Sequence, residues 1–242
     1  MKFSGEGYIV KVRNHGEKSA IITVICPQYG KLVGYINGAF NKKTLGIYQL
    51  GNLISFNAYA RVAENMLSFK GVELLQSHVN DFMLSPEKIE ALSSLCCLLD
   101  VCVAENDDLG DFFNQIRDFF DHIREENWLV YYSLFEYKLL EFLGIGLDLN
   151  KCAVTGTKED LSYVSPKTGR AVCAQVGASY KEKLYAYPHY IVEHNYRPNL
   201  QEVANALAMT GNFLHKNFLQ AHNLHLPEQR NGLMRMVSLV HK

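Results

Sequence analysis

The chain has 242 residues, of which 48% are hydrophobic and 12% aromatic, enough for a real core in one large or two modest domains. No apolar run reaches the roughly 18 residues of a membrane span, and the first segment, MKFSGEGY, lacks a hydrophobic targeting sequence, so we expect a cytoplasmic protein with no membrane partner. The net charge of −1 is unevenly spread: residues 1–80 carry +5, residues 81–150 carry −11 and residues 151–242 carry +5. This pattern favours a protein whose two basic portions face an anionic partner. The alternative is that the acidic segment is only a solvated helix face.

Five short strands are predicted in the first third of the chain, at residues 8–13, 19–26, 31–36, 53–62 and 67–74. In the fourth, apolar and polar residues alternate, the period of 2 that buries one face of a strand and exposes the other. Turn-like segments such as NHGEK and PQYGK separate the runs. Such closely spaced strands suit a closed barrel, because closure removes exposed edges. An OB-fold is the leading interpretation, and an SH3-like barrel is the alternative.

The apolar pattern becomes helical after residue 80. We therefore expect a barrel domain at residues 1–80 and a helical domain at residues 81–242. Ser85 followed by Pro86 predicts the start of the first helix, with serine as the N-cap and proline at the first helical position.

Three later helices are predicted from their apolar periodicity and end signals. The first covers residues 109–124, and the second covers residues 128–143 and stops at Gly144. Asn199 with Glu202 predicts a capping box at the start of the third.

The sequence lacks the common catalytic motifs. It has no G-x-x-x-x-G-K-[ST], no G-x-G-x-x-G after a strand, no H-E-x-x-H and no G-x-S-x-G. We therefore expect no enzyme and no catalytic residue. A thiol nucleophile that pairs Cys152 or Cys173 with His189 is a weak alternative.

The segment CAVTGTKEDLSYVSPKTGRAVC, from Cys152 to Cys173, has the outline of a zinc knuckle. A structural zinc site needs four soft ligands, usually two C-x2-C pairs. Here Thr155 and Val176 occupy the two partner positions, and no histidine lies between residues 123 and 188. We therefore expect no metal, and a finger at about residues 150–178 that apolar packing and turns hold together.

Four runs, GYIVKVRNHGEKSAIITV, FEYKLLEFLGIGLDLNKCAVTG, YVSPKTGRAV and LAMTGNFLHKNFL, resemble in that order the RecO family of bacterial recombination mediators, above all its alphaproteobacterial branch. The resemblance implies an α+β fold: an N-terminal five-stranded OB-fold barrel followed by a mainly α-helical domain with a small inserted zinc-finger-like hairpin. It also implies an ATP-independent, non-enzymatic role in DNA repair without a cofactor. Members bind single- and double-stranded DNA, anneal complementary strands, pair with RecR, and help RecA to displace single-stranded DNA-binding protein (SSB). A scaffold that binds only proteins is the alternative.

Candidate contact residues follow from this function. An OB barrel binds single strands through a basic groove that follows the phosphates and aromatic faces on which bases stack. The expected DNA-binding cations are Lys11, Arg13, Lys18, Lys31, Lys42, Lys43 and Arg61. The aromatic residues expected to stack on bases are Tyr35, Phe40, Tyr48 and Tyr59. The acidic C-terminal tail of SSB is expected to meet cations near apolar helix surface, at Arg170, Lys181, Lys183, Arg197 or Lys216.

Overall fold

The computed structural model describes residues 1–60, 66–83, 85–193 and 195–239 of the chain. The chain forms two compact units, Met1–Arg124 and Glu125–Lys242. The first unit holds the predicted barrel and the three helices that follow it, and the predicted domain division at residue 80 stays a prediction. In the described ranges, no helix is both long and apolar enough to cross a membrane.

Five strands close into a barrel in the first unit. Their bounds are β1 Lys2–His15, β2 Ser19–Cys26, β3 Gly30–Ile36, β4 Leu53–Tyr59 and β5 Leu67–Gln76. The strand order around the barrel is β1-β2-β3-β5-β4, and all pairs are antiparallel except β3 with β5. The predicted five-stranded OB-type barrel is thereby confirmed.

Strand β1 is longer than predicted because it serves two neighbours. Its first half pairs with β4, from Lys2 opposite Tyr59, and its second half pairs with β2 as far as His15 opposite Ser19. The prediction began at residue 8, since the segment KFSGEG is polar and carries two glycines. A glycine is required at Gly7, where a Cβ atom would lie 2.5 Å from the Ile25 carbonyl oxygen.

Alternating side chains of all five strands fill the barrel. The fully or almost fully buried ones include Ile9, Ile22, Val24, Ile54, Phe56 and Phe69. Burying each of these side chains stabilises the fold by roughly 1.5–3 kcal/mol. Because one face of every strand is fixed in this core, the side chains between them must point out of the barrel.

Three helices complete the first unit: α1 Val79–Phe82, α2 Pro86–Cys102 and α3 Phe112–Asp121. Ser85 caps α2 as predicted, since its side chain accepts a hydrogen bond from the Lys88 N–H at 3.4 Å. Helix α3 is shorter than the predicted 109–124, because residues 110 and 111 form a turn before it and the chain leaves helical geometry at His122. The Tyr8 ring of β1 stacks on the Phe120 ring of α3, with centroids 4.3 Å apart.

The second unit is mainly helical. Its helices are α4 Trp128–Phe142, α5 Ala174–Gly177, α6 His189–Val192, α7 Leu200–Leu214 and α8 Glu228–Leu239. Helix α4 ends just before Gly144, which has a φ of +72°, and the predicted capping box of Asn199 and Glu202 begins α7. The chain continues beyond α7 as a π-helical turn, His215–Leu219.

A small sheet of order β7-β6-β8 forms the finger region. Its strands are β6 Leu161–Val164, β7 Ala171–Cys173 and β8 Tyr185–Ala186. Strands β6 and β7 pair as an antiparallel hairpin, as the turn residues between them predicted. Cys152 and Cys173 are both buried at its base.

Candidate nucleic-acid interface

The outer surface of β1, β2 and β3 carries several of the predicted DNA-binding residues. Arg13 on β1 lies opposite Ile21 on β2, and Ile21 lies opposite Tyr35 on β3. These three residues alternate with core residues, so they point out of the barrel in one row across three strands. Directly opposed side chains in a sheet lie close enough to contact one ligand together.

Helix α2 engages two of the predicted cations. The Lys11 ammonium forms an ion pair with the Asp100 carboxylate, and the Lys31 ammonium donates a hydrogen bond of 2.7 Å to the Asp100 carbonyl oxygen. Asp100 lies in the last turn of α2, where the helix dipole also favours a cation. Lys11 and Lys31 therefore hold α2 against the barrel, which leaves less of their charge for a phosphate.

The other described cations of this region are exposed. In the part of the chain that the structure describes, Arg13, Lys18, Lys42 and Lys43 are in no ion pair. The Phe40 N–H donates to the Lys18 carbonyl oxygen at 3.5 Å, which places the connection between β3 and β4 beside the turn between β1 and β2. Arg61 lies outside the described residues.

We call this basic area the hairpin surface and define it as Arg13, His15, Lys18, Ile21, Tyr35, Lys42 and Lys43. The sequence prediction missed His15, whose ring meets the Tyr35 ring edge-on at 5.7 Å. The Tyr35 hydroxyl and the Ser19 hydroxyl are hydrogen-bonded at 2.7 Å, which fixes the ring at the end of the sheet. The surface thus combines exposed cations in two loops with an aromatic ring on a strand.

The four predicted stacking residues fall into two groups. Phe40 and Tyr48 are half-buried and pack against the barrel core, so their first role is structural. Tyr35 is half-buried on the hairpin surface, and Tyr59 is 39% exposed on β4. The Lys70 ammonium lies 4.9 Å from the centre of the Tyr59 ring. The sequence prediction also missed Lys70, which lies diagonally across from Tyr59 because β4 and β5 pair with Ser68 opposite Tyr59.

In the second unit, one of the predicted SSB-tail cations, Lys181, lines a cavity. The cavity has a volume of about 380 Å³ and is lined by Tyr163, Lys181, Leu184, Tyr185, Ala186, Asn205 and Ala208. Arg170 is held by Asp148, with a distance of 3.3 Å from Nε to the carboxylate. Lys183, Arg197 and Lys216 are exposed. Lys181 is thus placed beside the apolar side chains of Leu184 and Ala208.

The two finger cysteines form half of the ligand set of a zinc site. Burial raises the pKa of Cys152, but hydrogen bonds from the Thr155 hydroxyl and from the N–H groups of Thr155, Cys173 and Val154 outweigh it and lower the pKa to about 6. The Thr155 hydroxyl lies 3.8 Å from the Cys173 sulfur. Among the described residues, no three His, Cys, Asp or Glu side chains are grouped so that they could hold a metal ion.

The weak alternative of a thiol nucleophile needs a histidine base. His189 instead lies 3.0 Å from the Glu193 carboxylate, and its ring contacts the rings of Tyr187 and Tyr196. Within the described ranges, His189 has no hydrogen bond to Cys152 or Cys173. The structure thus gives this alternative no support.

Comparison with known proteins agrees with the barrel and the helical region. The family model described as "Recombination protein O N terminal" matches residues 1–78, and the one described as "Recombination protein O C terminal" matches residues 83–222.

Curated relatives from alphaproteobacteria, each named DNA repair protein RecO, are similar over nearly the whole chain. The protein of Bartonella quintana (strain Toulouse) is 33% identical over 239 residues, which cover 98% of this chain and 97% of the relative. The protein of Rickettsia canadensis (strain McKiel) is 33% identical over 237 residues, with coverage of 98% and 97%. The protein of Wolbachia pipientis wMel is 33% identical over 243 residues, with coverage of 98% and 100%. The chain therefore belongs to the RecO family of DNA repair proteins, as the four sequence runs predicted.

Proposed function

We propose that this protein binds single- and double-stranded DNA through the hairpin surface and anneals complementary strands without nucleotide, metal or other cofactor. Electrostatic repulsion between two polyanions opposes annealing. Cations that neutralise phosphates release condensed counterions and so lower this barrier without a covalent step. The role is therefore that of a mediator and not of an enzyme.

The observation that carries the proposal is the row formed by Arg13 and Tyr35 beside the loop cations Lys18, Lys42 and Lys43. Arg13 and Tyr35 flank the same residue, Ile21, on neighbouring strands. A cation and an aromatic ring at this spacing can hold a phosphate and its neighbouring base together. Helix α2 leaves this end of the sheet open, since its contacts to Lys11 and Lys31 lie toward the other end.

Membership of the RecO family supports a place for the protein in cytoplasmic DNA repair with three protein partners. We propose that it acts with RecR, binds the acidic C-terminal tail of SSB, and thereby helps to load RecA onto SSB-coated single-stranded DNA. The cavity beside Lys181 suits such a tail. An apolar side chain can enter between Leu184 and Ala208, while the Lys181 ammonium and the Asn205 amide meet carboxylates.

Calorimetry with a synthetic SSB-tail peptide tests this contact. Lys181→Glu should weaken binding at least tenfold, because it replaces an attraction with a repulsion. The matched control is Lys158→Glu, which makes the same charge change at another exposed lysine of the finger region. Absence of heat from the native protein, or equal binding by both variants, would remove this cavity as the tail site.

Gel-shift titration with single- and double-stranded DNA at rising salt tests the DNA-binding proposal. Affinity should fall linearly on a log-log plot, with a slope of roughly 0.7 per phosphate contact on single strands and 0.9 on duplex. A protein that fails to bind DNA even at low salt would instead be a scaffold for other proteins.

A further inference from the structure

A second outward-facing area lies on the first half of β1 and on β4 and β5. Tyr59 lies opposite Lys2 on β1 and Ser68 on β5, and the next outward residue of β4, Asn57, lies opposite Ser4 and Lys70. The β4 and β5 residues between them, Ala58 and Phe69, belong to the core. We call this area the Tyr59 surface and define it as Lys2, Ser4, Asn57, Tyr59, Ser68 and Lys70.

The Tyr59 surface is basic at one end only. Lys2 and Lys70 are exposed, and in the described part of the chain neither is in an ion pair. The next outward row toward the other end of the strands holds Glu6 opposite Ser55 and Glu73 opposite Ser55. A polyanion would therefore be attracted to the end with Tyr59 and repelled from the end with Glu6 and Glu73.

Lys70 joins the Tyr59 ring to a cavity. Its ammonium lies 4.9 Å from the ring centre, and its side chain also lines a cavity of about 260 Å³ with Ile36, Asn37, Tyr48, Ser68, Phe69, Gly71 and Val72. This volume is below the roughly 300–1,000 Å³ of sites for whole small molecules, so a single planar ring suits it better. The Asn37 amide and the Ser68 hydroxyl supply hydrogen-bonding groups for the edge of such a ring.

The Tyr59 surface and the hairpin surface meet at one edge, where Ser68 on β5 is paired with Tyr35 on β3. In the closed barrel, β4 and β2 lie on opposite sides of β1, so their outward residues face in different directions. The connection between β3 and β4 adjoins both areas, since it carries Lys42 and Lys43 and also Tyr48, which lines the cavity beside Lys70. Two strands could thus lie on different sides of the barrel and approach each other where the two surfaces meet.

We propose that the Tyr59 surface binds a second single strand of nucleic acid, while the first strand lies on the hairpin surface. One base stacks on Tyr59, Lys2 and Lys70 contact the phosphates on either side, and a neighbouring base enters the cavity beside Lys70. This inference rests on the proposed annealing function and gives it a mechanism, because two strands held on one protein can meet there.

The test counts strands bound per protein. The probe is a labelled oligothymidylate of about ten nucleotides, within the roughly 4–16 that one OB fold covers, because such strands cannot pair with each other. Titrations at protein concentrations well above the dissociation constant give the stoichiometry. The variants are Lys2→Glu/Lys70→Glu for the Tyr59 surface and Arg13→Glu/Lys18→Glu for the hairpin surface. Lys88→Glu on α2 is the control for charge reversal, and circular dichroism verifies folding of each variant.

We expect two strands per native protein and per Lys88→Glu protein, and one strand per protein for each double variant. Lys2→Glu/Lys70→Glu should keep the affinity for its remaining strand within twofold and slow annealing at least tenfold. Tyr59→Ala should weaken the second binding event about tenfold. A native stoichiometry of one strand, or two strands still bound by Lys2→Glu/Lys70→Glu, would overturn the inference and leave the proposed function in place. Failure of the native protein to bind any DNA would overturn both.

Discussion

The ammonium of Lys11 on β1 forms an ion pair with the carboxylate of Asp100 on α2. The backbone carbonyl oxygen of the same aspartate accepts a hydrogen bond of 2.7 Å from the Lys31 ammonium. One residue near the end of α2 thus engages two cations that the sequence assigned to DNA. The helix therefore sets the boundary of the basic area on the barrel.

Asp100→Asn should strengthen single-strand binding. The change leaves the Lys11 charge without its carboxylate partner, so one more cation becomes available and the salt slope should rise by up to about 0.7. Because this ion pair is partly exposed, its loss should cost about 1 kcal/mol or less of unfolding free energy. Fluorescence titration at several salt concentrations measures the slope. Glu90→Gln on α2 is the matched control and should leave the salt slope unchanged. If Asp100→Asn also had the native slope, the ion pair with Asp100 would not be what withholds Lys11 from DNA.

The Glu136 carboxylate of α4 and the Arg230 guanidinium of α8 form a buried pair. Arg230 donates to Glu136 from Nε at 2.7 Å and from Nη2 at 2.8 Å, and the Thr210 hydroxyl donates to the same carboxylate at 2.6 Å. Glu136→Gln would leave a buried guanidinium without its counter-charge, which typically costs about 3–5 kcal/mol. Gly211→Ala should also destabilise, since its Cβ would lie 2.5 Å from both terminal nitrogens of Arg230.

Urea unfolding measures these costs through the single tryptophan, Trp128, which begins α4 in the same unit. The control is Glu228→Gln, because Glu228 pairs with Arg235 at 3.0 Å in an exposed position. This variant should have the same midpoint urea concentration of unfolding as the native protein. If Glu136→Gln had this midpoint too, the buried pair would not be what holds α8 to α4.

His78 should make the stability of the first unit sensitive to acid. Burial lowers the pKa of its imidazole, although Asp81, at 3.4 Å from Nδ1, and Asp121 act to raise it. The unfolded chain therefore takes up a proton first as the pH falls below the ordinary histidine pKa of about 6.5. The free energy of unfolding should therefore have its full value above that pH and decrease as the pH falls below it. Denaturation followed by circular dichroism at several pH values should show a smaller decrease in His78→Phe than in the native protein. An equal decrease in both would exclude His78 as the cause.

The finger should fold without a metal. Thr155 and Val176 occupy two of the four positions of a zinc site, and Cys152 and Cys173 are buried. Elemental analysis should therefore find no stoichiometric zinc, and a chelator should leave the melting temperature unchanged. Thr155→Cys/Val176→Cys restores two C-x2-C pairs and should gain one equivalent of zinc. One zinc per native protein would show that the finger recruits other ligands.

Local signals in the sequence were sufficient for much of the fold. Ser85 and the pair Asn199 and Glu202 each complete a helix end with hydrogen bonds that span only three residues, so their patterns could be recognised directly. The first half of β1 was missed because a polar, glycine-containing segment becomes a strand only when β4 lies beside it.

The candidate site was less predictable, because it depends on contacts between distant residues. Lys11 and Asp100 are 89 residues apart, and no pattern around either residue shows that α2 crosses β1 there. The contact between Lys70 and Tyr59 depends on the pairing register of β4 and β5, which places Ser68 opposite Tyr59 and Lys70 opposite Asn57. Charge counting could indicate that the barrel half is basic, but only the tertiary structure shows which cations are already paired.

The rate of strand annealing without nucleotide is the decisive measurement for the proposed function. Two complementary labelled oligonucleotides report annealing by fluorescence quenching. The native protein should accelerate annealing in the absence of ATP, and Arg13→Glu/Lys42→Glu/Lys43→Glu should be at least tenfold slower while it stays folded, because all three residues are exposed. The control Lys88→Glu/Lys158→Glu/Lys167→Glu makes the same change in net charge elsewhere and should anneal at the native rate. Annealing that requires ATP, or that proceeds equally fast in both triple variants, would contradict the account.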